Sequence, residues 1–206
     1  MELADLDLNK TYSYADYYTW TFKDRLELID GKIFRKEPQV PNTIHQLYCG
    51  HITFMLYSHF EHHDHCVFSG IFDVRLPGRS IRDADVFTVV QPDICVILDK
   101  NKLDDRGGIG TPDIVVEILS PGNNTVDLND KFYAYQKAGV KEYWVVFTNE
   151  KAIVVYKATN GQFNASRPLV SGNTVTTGIL PGFSLDLSEL FKTSEFLEKR
   201  QLSHNN

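Results

Sequence analysis

Three acids stand inside apolar, strand-like runs, and such acids are the residues best placed to do chemistry. Asp93 follows Pro92 at the head of Asp93-Ile94-Cys95-Val96, Glu117 sits within Asp113-Ile114-Val115-Val116-Glu117-Ile118-Leu119, and Glu27 lies in Leu26-Glu27-Leu28-Ile29. The run from Asp113 to Leu119 is rich in Ile and Val and unbroken, which suits a strand covered on both faces. An ionised carboxylate in such a strand needs a cation, a metal or a set of hydrogen bonds, because an unpaired buried charge is strongly unfavourable. If the Asp93 and Glu117 strands pair, the two carboxylates stand side by side. Oxygen donors of that kind suit Mg²⁺, which takes one or two protein carboxylates and fills its other positions with water and phosphate oxygens. Such an ion lowers the pKa of bound water and neutralises charge developing on a phosphoryl group. For Glu27 two readings stand open, membership of the same cluster or an edge-strand position facing water.

The elements that must hold these acids follow from periodicity and turn chemistry. Ser13 with Asp16 predicts a capped short helix reaching about Trp20. Arg25 to Arg35 reads as a hairpin around Asp30-Gly31. Ile44, Leu47, Tyr48, Ile52, Met55, Leu56 and Phe60 recur at helical spacing, so Asn42 to about Glu61 is the long amphipathic helix, expected to cover the sheet. Strands are expected over Val67 to Leu76, Val86 to Val90 and Asp93 to Leu98, and a polar, glycine-rich loop over Asp99 to Thr111. Asn123, Asn124 and Thr125 offer caps for a helix that Gly139 stops. Strands then follow over Lys141 to Phe147 and Ala152 to Lys157, with β-segments over Gln162 to Leu169 and Thr174 to Thr176. The order strand, helix, strand after Glu117 implies a right-handed crossover. Phe183 to Phe191 closes the domain, and residues 1 to 12 and the last dozen are expected to be loose.

Composition narrows the classes. The chain has 206 residues, 42% of them hydrophobic, which fits a single globular domain spanning 1–206 with a core over about 14–191. A formal net charge of −6 argues against a broad electropositive footprint, so any nucleic-acid contact must be local or metal-assisted. Cys49, Cys66 and Cys95 lack CxxC spacing and read as reduced thiols. The amino-terminal residues have no signal-peptide pattern and no run is long and apolar enough for a membrane span, so a cytoplasmic location without membrane contact is expected. His59, His62, His63 and His65 crowd the end of the long helix without an HExxH pattern, and they suit its dipole better than a zinc site. Arg75, Arg79 and Arg82 form the densest basic cluster, expected to be a charged loop facing water rather than a phosphate grip.

Taken together, Leu26 to Gly31, His45, Val90-Gln91-Pro92-Asp93, Pro112 to Pro121, Asp127 to Lys131, Tyr135, Ala138-Gly139-Val140 and Glu142-Tyr143-Trp144 resemble the Uma-type endonuclease family, within the PD-(D/E)xK restriction-endonuclease-like superfamily. The likeness spans roughly Tyr14 to Phe191. It implies an α/β fold with a central mixed sheet flanked by helices, with Asp93 and Glu117 as the metal-binding acids and Glu27 as an additional acid from an early element. The implied activity is Mg²⁺-dependent cleavage of DNA, with Mn²⁺ as a substitute ion. Because many nucleases of this superfamily pair two sites, the resemblance also implies a homodimer.

One position departs from the superfamily pattern, which places a lysine two residues after Glu117, where this chain has Leu119. Along a strand that is a displacement of about 7 Å on the same face, and the helix after Pro121 is the next element able to reach it. Lys131 shares a face of that helix with Leu128, Phe132 and Tyr135, so its stem can follow the sheet while its ammonium reaches the acids. The other reading of Lys131 is a surface pair with Asp127. Asp113 shares a strand face with Glu117, and hydrogen bonding at the strand start is expected of it rather than metal binding. The competing function is a catalytically inactive nuclease-fold module that binds DNA or a protein partner, and Leu119 is the residue that favours it.

Overall fold

The structure is a computed structural model that describes residues 6–21, 25–35, 42–60, 67–119 and 125–197. Helix α1 (Tyr14–Tyr17) carries the expected capping box, with Asp16 accepting from the Ser13 backbone and the Ser13 hydroxyl accepting from Asp16 N–H, but it stops short of Trp20. Strands β1 (Leu26–Ile29) and β2 (Lys32–Arg35) form the hairpin in full register. Its turn residues Asp30 and Gly31 take φ of 48° and 77°, as a type I′ turn requires. The preceding segment is not loose throughout: Tyr12 is buried and its N–H donates to the Gly31 carbonyl at 2.9 Å.

Helix α2 (Thr43–His59) begins at Asn42, whose side chain caps His45 N–H, and it buries Tyr48, Ile52 and Leu56. The span from Val67 to Leu76 is not one strand. It holds β3 (Val67–Ser69) and β4 (Val74–Arg75), which lie in different sheets. Gly70, at φ 93°, turns the chain between them through a conformation closed to most residues. A short 3₁₀ turn at Asp83–Asp85 precedes β5 (Val89–Val90), and β6 (Ile94–Val96) follows.

The glycine-rich segment after Asp99 also departs from expectation. After a 3₁₀ turn at Lys100–Lys102 it forms a hairpin, β7 (Leu103–Asp104) with β8 (Gly107–Ile109), and β8 pairs in parallel with β4. Its glycines serve close approach rather than looseness: Gly107 has φ 126°, and a β-carbon there would lie 2.3 Å from the Asp73 carbonyl oxygen.

The second half begins with β9 (Ile114–Leu119) and α3 (Thr125–Ala138), which ends at Gly139. It continues through β10 (Glu142–Phe147), β11 (Ala152–Thr159), β12 (Gln162–Ala165), β13 (Thr174–Thr176), β14 (Ser184–Asp186) and α4 (Leu187–Lys192). Leu169 adds only an isolated bridge to Ile153. Among the described residues the strands form a sheet ordered β2-β1-β5-β4-β8-β7, a sheet ordered β12-β11-β10-β9-β6-β3, and the ribbon β13-β14. In the second sheet β10 runs parallel to β9 while β6 runs antiparallel to it. This is the mixed α/β architecture expected from the sequence.

The burial of β9 explains its apolar run. Ile114, Val116 and Ile118 face a core shared with α2, α4, Trp144 and Phe183, whereas Val115 faces a core shared with α3, Val74 and Ile29 of the other sheet. Alternation along the strand puts Glu117 on the second of these faces, between the two sheets and under α3. No helix among the described residues is long and apolar enough to cross a membrane.

Candidate active site

The side chains of Glu27, Asp93, Glu117 and Lys131 are all buried. Glu117 Oε1 accepts from Lys131 Nζ at 2.8 Å and from the Tyr135 hydroxyl at 2.9 Å. The same Lys131 Nζ lies 3.0 Å from Glu27 Oε1. Glu27 Oε1 also accepts from the backbone N–H of Gln91 at 2.6 Å. Three elements therefore converge on one ammonium: β1 through Glu27, β9 through Glu117, and α3 through Lys131. The cluster membership of Glu27 is decided by this contact, and its water-facing alternative is not what the fold builds.

Asp93 enters from the head of β6. Its Oδ2 accepts from Ile118 N–H at 2.8 Å, which ties it to β9 one residue beyond Glu117, and His45 Nε2 of α2 lies 3.3 Å from the same oxygen. The register of β6 with β9, Ile94 opposite Val116, sets Asp93 opposite Glu117 when carried one residue outward. The two acids therefore flank each other as the sequence pattern implied. His45 is buried, and neither ring nitrogen makes a hydrogen bond among the described residues.

Electrostatics follow from this crowding. Burial by itself lowers the pKa of the Lys131 ammonium, but the charges of Glu117 and Glu27 outweigh it and hold the group above the ordinary lysine value. Burial, then the Glu117 and Glu27 charges, push the Tyr135 hydroxyl well up, so it keeps its proton and donates it to Glu117. Tyr143 is raised for the same first two reasons.

Other candidates take structural places. Asp113 accepts from Leu98 N–H at 2.9 Å and from Lys141 Nζ at 2.6 Å, which is strand-start bonding. Arg75 corrects the expectation of a water-facing arginine loop. It is fully buried, donates through Nε to the Gly108 carbonyl at 3.1 Å, pairs with Asp104 and lies over the Tyr14 ring. Its charge is neutralised locally, which is how a sheet interior tolerates it. Arg79 and Arg82 do remain exposed. His59 packs edge-on against Phe183, whereas His62, His63, His65 and Cys66 lie outside the described residues, as does the side chain of Asp127.

The resemblance implies a divalent ion at this site. Asp93 and Glu117 supply hard oxygens, and the Cys95 thiol two residues along β6 is pushed up by burial and by the Glu117 charge, so it offers no thiolate. Among the described residues no group of three or more His, Cys, Asp or Glu side chains is arranged to hold a metal ion. Two carboxylate donors suit a hard cation, which would complete its shell with water and substrate.

Gln91 and Tyr135 belong to the motifs that carry the resemblance, but the sequence assigns neither a role at the site. The Gln91 backbone fixes Glu27, and its side chain binds Asp73, Tyr17 and Arg25. Tyr135 lies four residues after Lys131, the spacing that sets its hydroxyl on the same helical face and the signal that could have found it.

A mixed sheet flanked by helices, with acids meeting at the adjoining ends of β6 and β9, defines an α/β protein of the restriction-endonuclease-like class. A crystal structure described as a putative nuclease belonging to DUF820 from Anabaena variabilis has this fold, with a TM-score of 0.68 at 17% identity over 88% of this chain and 98% of that one. The chain belongs to the Uma2 family, described as "Putative restriction endonuclease", which it matches over residues 14–188. No curated protein matches the sequence.

Proposed function

We propose that the chain is a metal-dependent endonuclease that hydrolyses phosphodiester bonds in DNA. The observation that carries this reading is the single ammonium of Lys131 held between Glu27 and Glu117, with Asp93 alongside. A structural ion pair needs one acid, whereas this cluster sets several carboxylates against one cation between two sheets. Family membership supports the same activity.

In this reading Asp93 and Glu117 hold a Mg²⁺ ion, for which Mn²⁺ can substitute. Bound there, the ion would supply Lewis-acid polarisation of the phosphate and a lowered pKa for an attacking water. The protein's own groups orient and balance charge. Ile118 N–H fixes the Asp93 carboxylate, and Tyr135 fixes that of Glu117. Lys131 presents its ammonium where negative charge grows on the phosphoryl oxygens, with Glu27 steadying it from the far side. Lys131 thus takes the place of the lysine absent at Leu119. Cutting both strands in one binding event would use two such sites, so a homodimer belongs with this reading.

The test is plasmid cleavage in Mg²⁺ and in Mn²⁺ by the parent, Asp93→Asn, Glu117→Gln and Lys131→Ala. Nicking or linearisation by the parent and its loss in all three variants is the expected result. A folded parent that leaves DNA intact with either ion overturns the catalytic reading and favours the inactive module, which Leu119 supports.

A further inference from the structure

Arg25 stands immediately before β1 and donates through Nε to the Gln91 side-chain oxygen at 3.1 Å. Gln91 is in turn fixed on several sides. Its backbone N–H reaches Glu27 Oε1 at 2.6 Å, and its side-chain nitrogen donates to Asp73 Oδ1 at 2.7 Å and to the Tyr17 hydroxyl at 3.3 Å. A carboxylate only accepts, so Asp73 sets which way the Gln91 amide faces and leaves its oxygen toward Arg25. The guanidinium is therefore aimed by a chain of bonds that begins at Glu27, the acid that positions Lys131.

The exposed Arg82 pairs with Asp85 through Nε, whereas two less exposed arginines set terminal nitrogens on acids. Arg75 does so with Asp104, and Arg106 sets both terminal nitrogens against Asp83 at 2.6 and 3.3 Å. Arg25 differs: it is held by a neutral amide through one donor, and among the described residues its terminal nitrogens have neither a hydrogen bond nor an acid. Lys131, the other cation in this network, is committed to Glu27 and Glu117. Arg25 thus presents an uncommitted fork, the shape that binds two oxygens of one phosphate, at the rim of an acidic site that a polyanion must enter.

We propose that Arg25 is the phosphate clamp of the site, binding a phosphodiester of the nucleic-acid strand through its terminal nitrogens, with Gln91 as the residue that aims it. The assignment rests on the nuclease reading above and adds to it a residue for substrate binding that the metal-binding acids do not supply.

Fluorescence anisotropy of a labelled DNA duplex and a labelled single strand, titrated with protein in Ca²⁺ over a series of salt concentrations, tests it. The set is the parent, Arg25→Ala, Arg25→Lys and, as an exposed arginine elsewhere, Arg79→Ala. Loss of one charged, bidentate contact should weaken Arg25→Ala by about tenfold and lower the slope of log affinity against log salt by about 1. Arg25→Lys should recover part of the affinity, and Arg79→Ala should match the parent. If Arg25→Ala does not fold, Arg25→Lys decides: affinity several-fold below the parent supports the clamp, and parent-like affinity overturns it. Parent-like affinity and slope in a folded Arg25→Ala overturn the clamp while leaving the nuclease reading intact. A parent that binds neither probe overturns both.

Discussion

Lys131 of α3 and Glu117 of β9 meet at 2.8 Å in the interior, and the Lys131 side chain is only 8% exposed. An ammonium so placed is tolerated because two carboxylates share it. Removing it leaves both carboxylates buried without their counter-ion, so Lys131→Met should cost about 3–5 kcal/mol. Adding Glu117→Gln to that variant removes one of the stranded charges and should return part of the loss. Urea unfolding of both single variants and the double gives the coupling directly. A double no more stable than Lys131→Met would mean that the pair is not the contact holding this interior together.

The substitution at Leu119 offers an independent check on the displaced lysine. Leu119 ends β9 on the face that carries Glu117, half-buried and packed in the core under α3. A lysine there can extend along the strand toward Glu117, a span of about 7 Å between α-carbons two residues apart. Lys131→Ala should abolish cleavage, Lys137→Ala should not, and Leu119→Lys with Lys131→Ala should recover part of it. Lys137 is the fitting control because its ammonium pairs with Asp30 at the surface. Parent-level cleavage by Lys131→Ala would sink the lysine's role.

Much of this site could be read from the chain because its signals are local. Acids interrupting apolar runs, the Asp30-Gly31 turn and the helical spacing after Asn42 each depend on a few neighbouring residues. What was hidden depends on pairing between distant strands. Val67 to Leu76 carries a strand-like composition throughout, and only its partners, β6 for one half and β4's neighbours for the other, reveal two strands. The Gly107 hairpin looks like a loop in the sequence because glycine marks both looseness and close approach, and the Asp73 carbonyl that decides between them is far away in sequence. The burial of Arg75 is hidden for the same reason, since its partners Asp104 and Gly108 lie across that hairpin.

The capping box of α1 predicts a pH dependence. Hydrogen bonding from the Ser13 backbone, opposed by some desolvation and aided by the Ser13 hydroxyl and Lys10, holds the Asp16 carboxyl below its usual range. A carboxylate whose folded pKa is depressed contributes stability above its unfolded pKa, near 3.8, and loses that contribution as pH falls through the lower folded value. Asp16→Ala should therefore lower stability at neutral pH by less than the roughly 1 kcal/mol of a buried cap, since Asp16 is 38% exposed and screened by solvent, with the gap to the parent closing as both are acidified below pH 4. A gap that stays constant from pH 7 to pH 3 would assign the effect to packing instead.

Two glycines should respond to alanine with opposite signs. Gly50 lies in the middle of α2, exposed, with open space where a β-carbon would be, so Gly50→Ala should stabilise by about 0.5–1 kcal/mol through helix propensity and a less flexible unfolded chain. Gly107→Ala meets the Asp73 carbonyl and a positive φ together, and it should destabilise by about 2 kcal/mol or more. Asp73 also holds Gln91. Thermal unfolding of both variants checks the signs, and anisotropy on Gly107→Ala should show weaker DNA binding as well.

The carboxylate pair makes the strongest claim on metal. A site that binds an ion in the folded state alone gains stability as RT ln(1 + [L]/Kd), about 2.7 kcal/mol at one hundred times Kd. Thermal unfolding of the parent should therefore rise with Mn²⁺ and with Mg²⁺. Glu117→Gln keeps an oxygen for Lys131 and Tyr135 to bond, and Asp93→Asn keeps one for Ile118 N–H, so both variants should fold. Each loses the charge that a hard cation requires, and each should lose the metal-induced rise. Glu27→Gln should reduce the rise less, because its Oε1 is bonded to Lys131 and Gln91 rather than set beside Asp93. Full metal response in both Asp93→Asn and Glu117→Gln would place the ion elsewhere, and the carboxylates would then be an electrostatic frame for Lys131 alone.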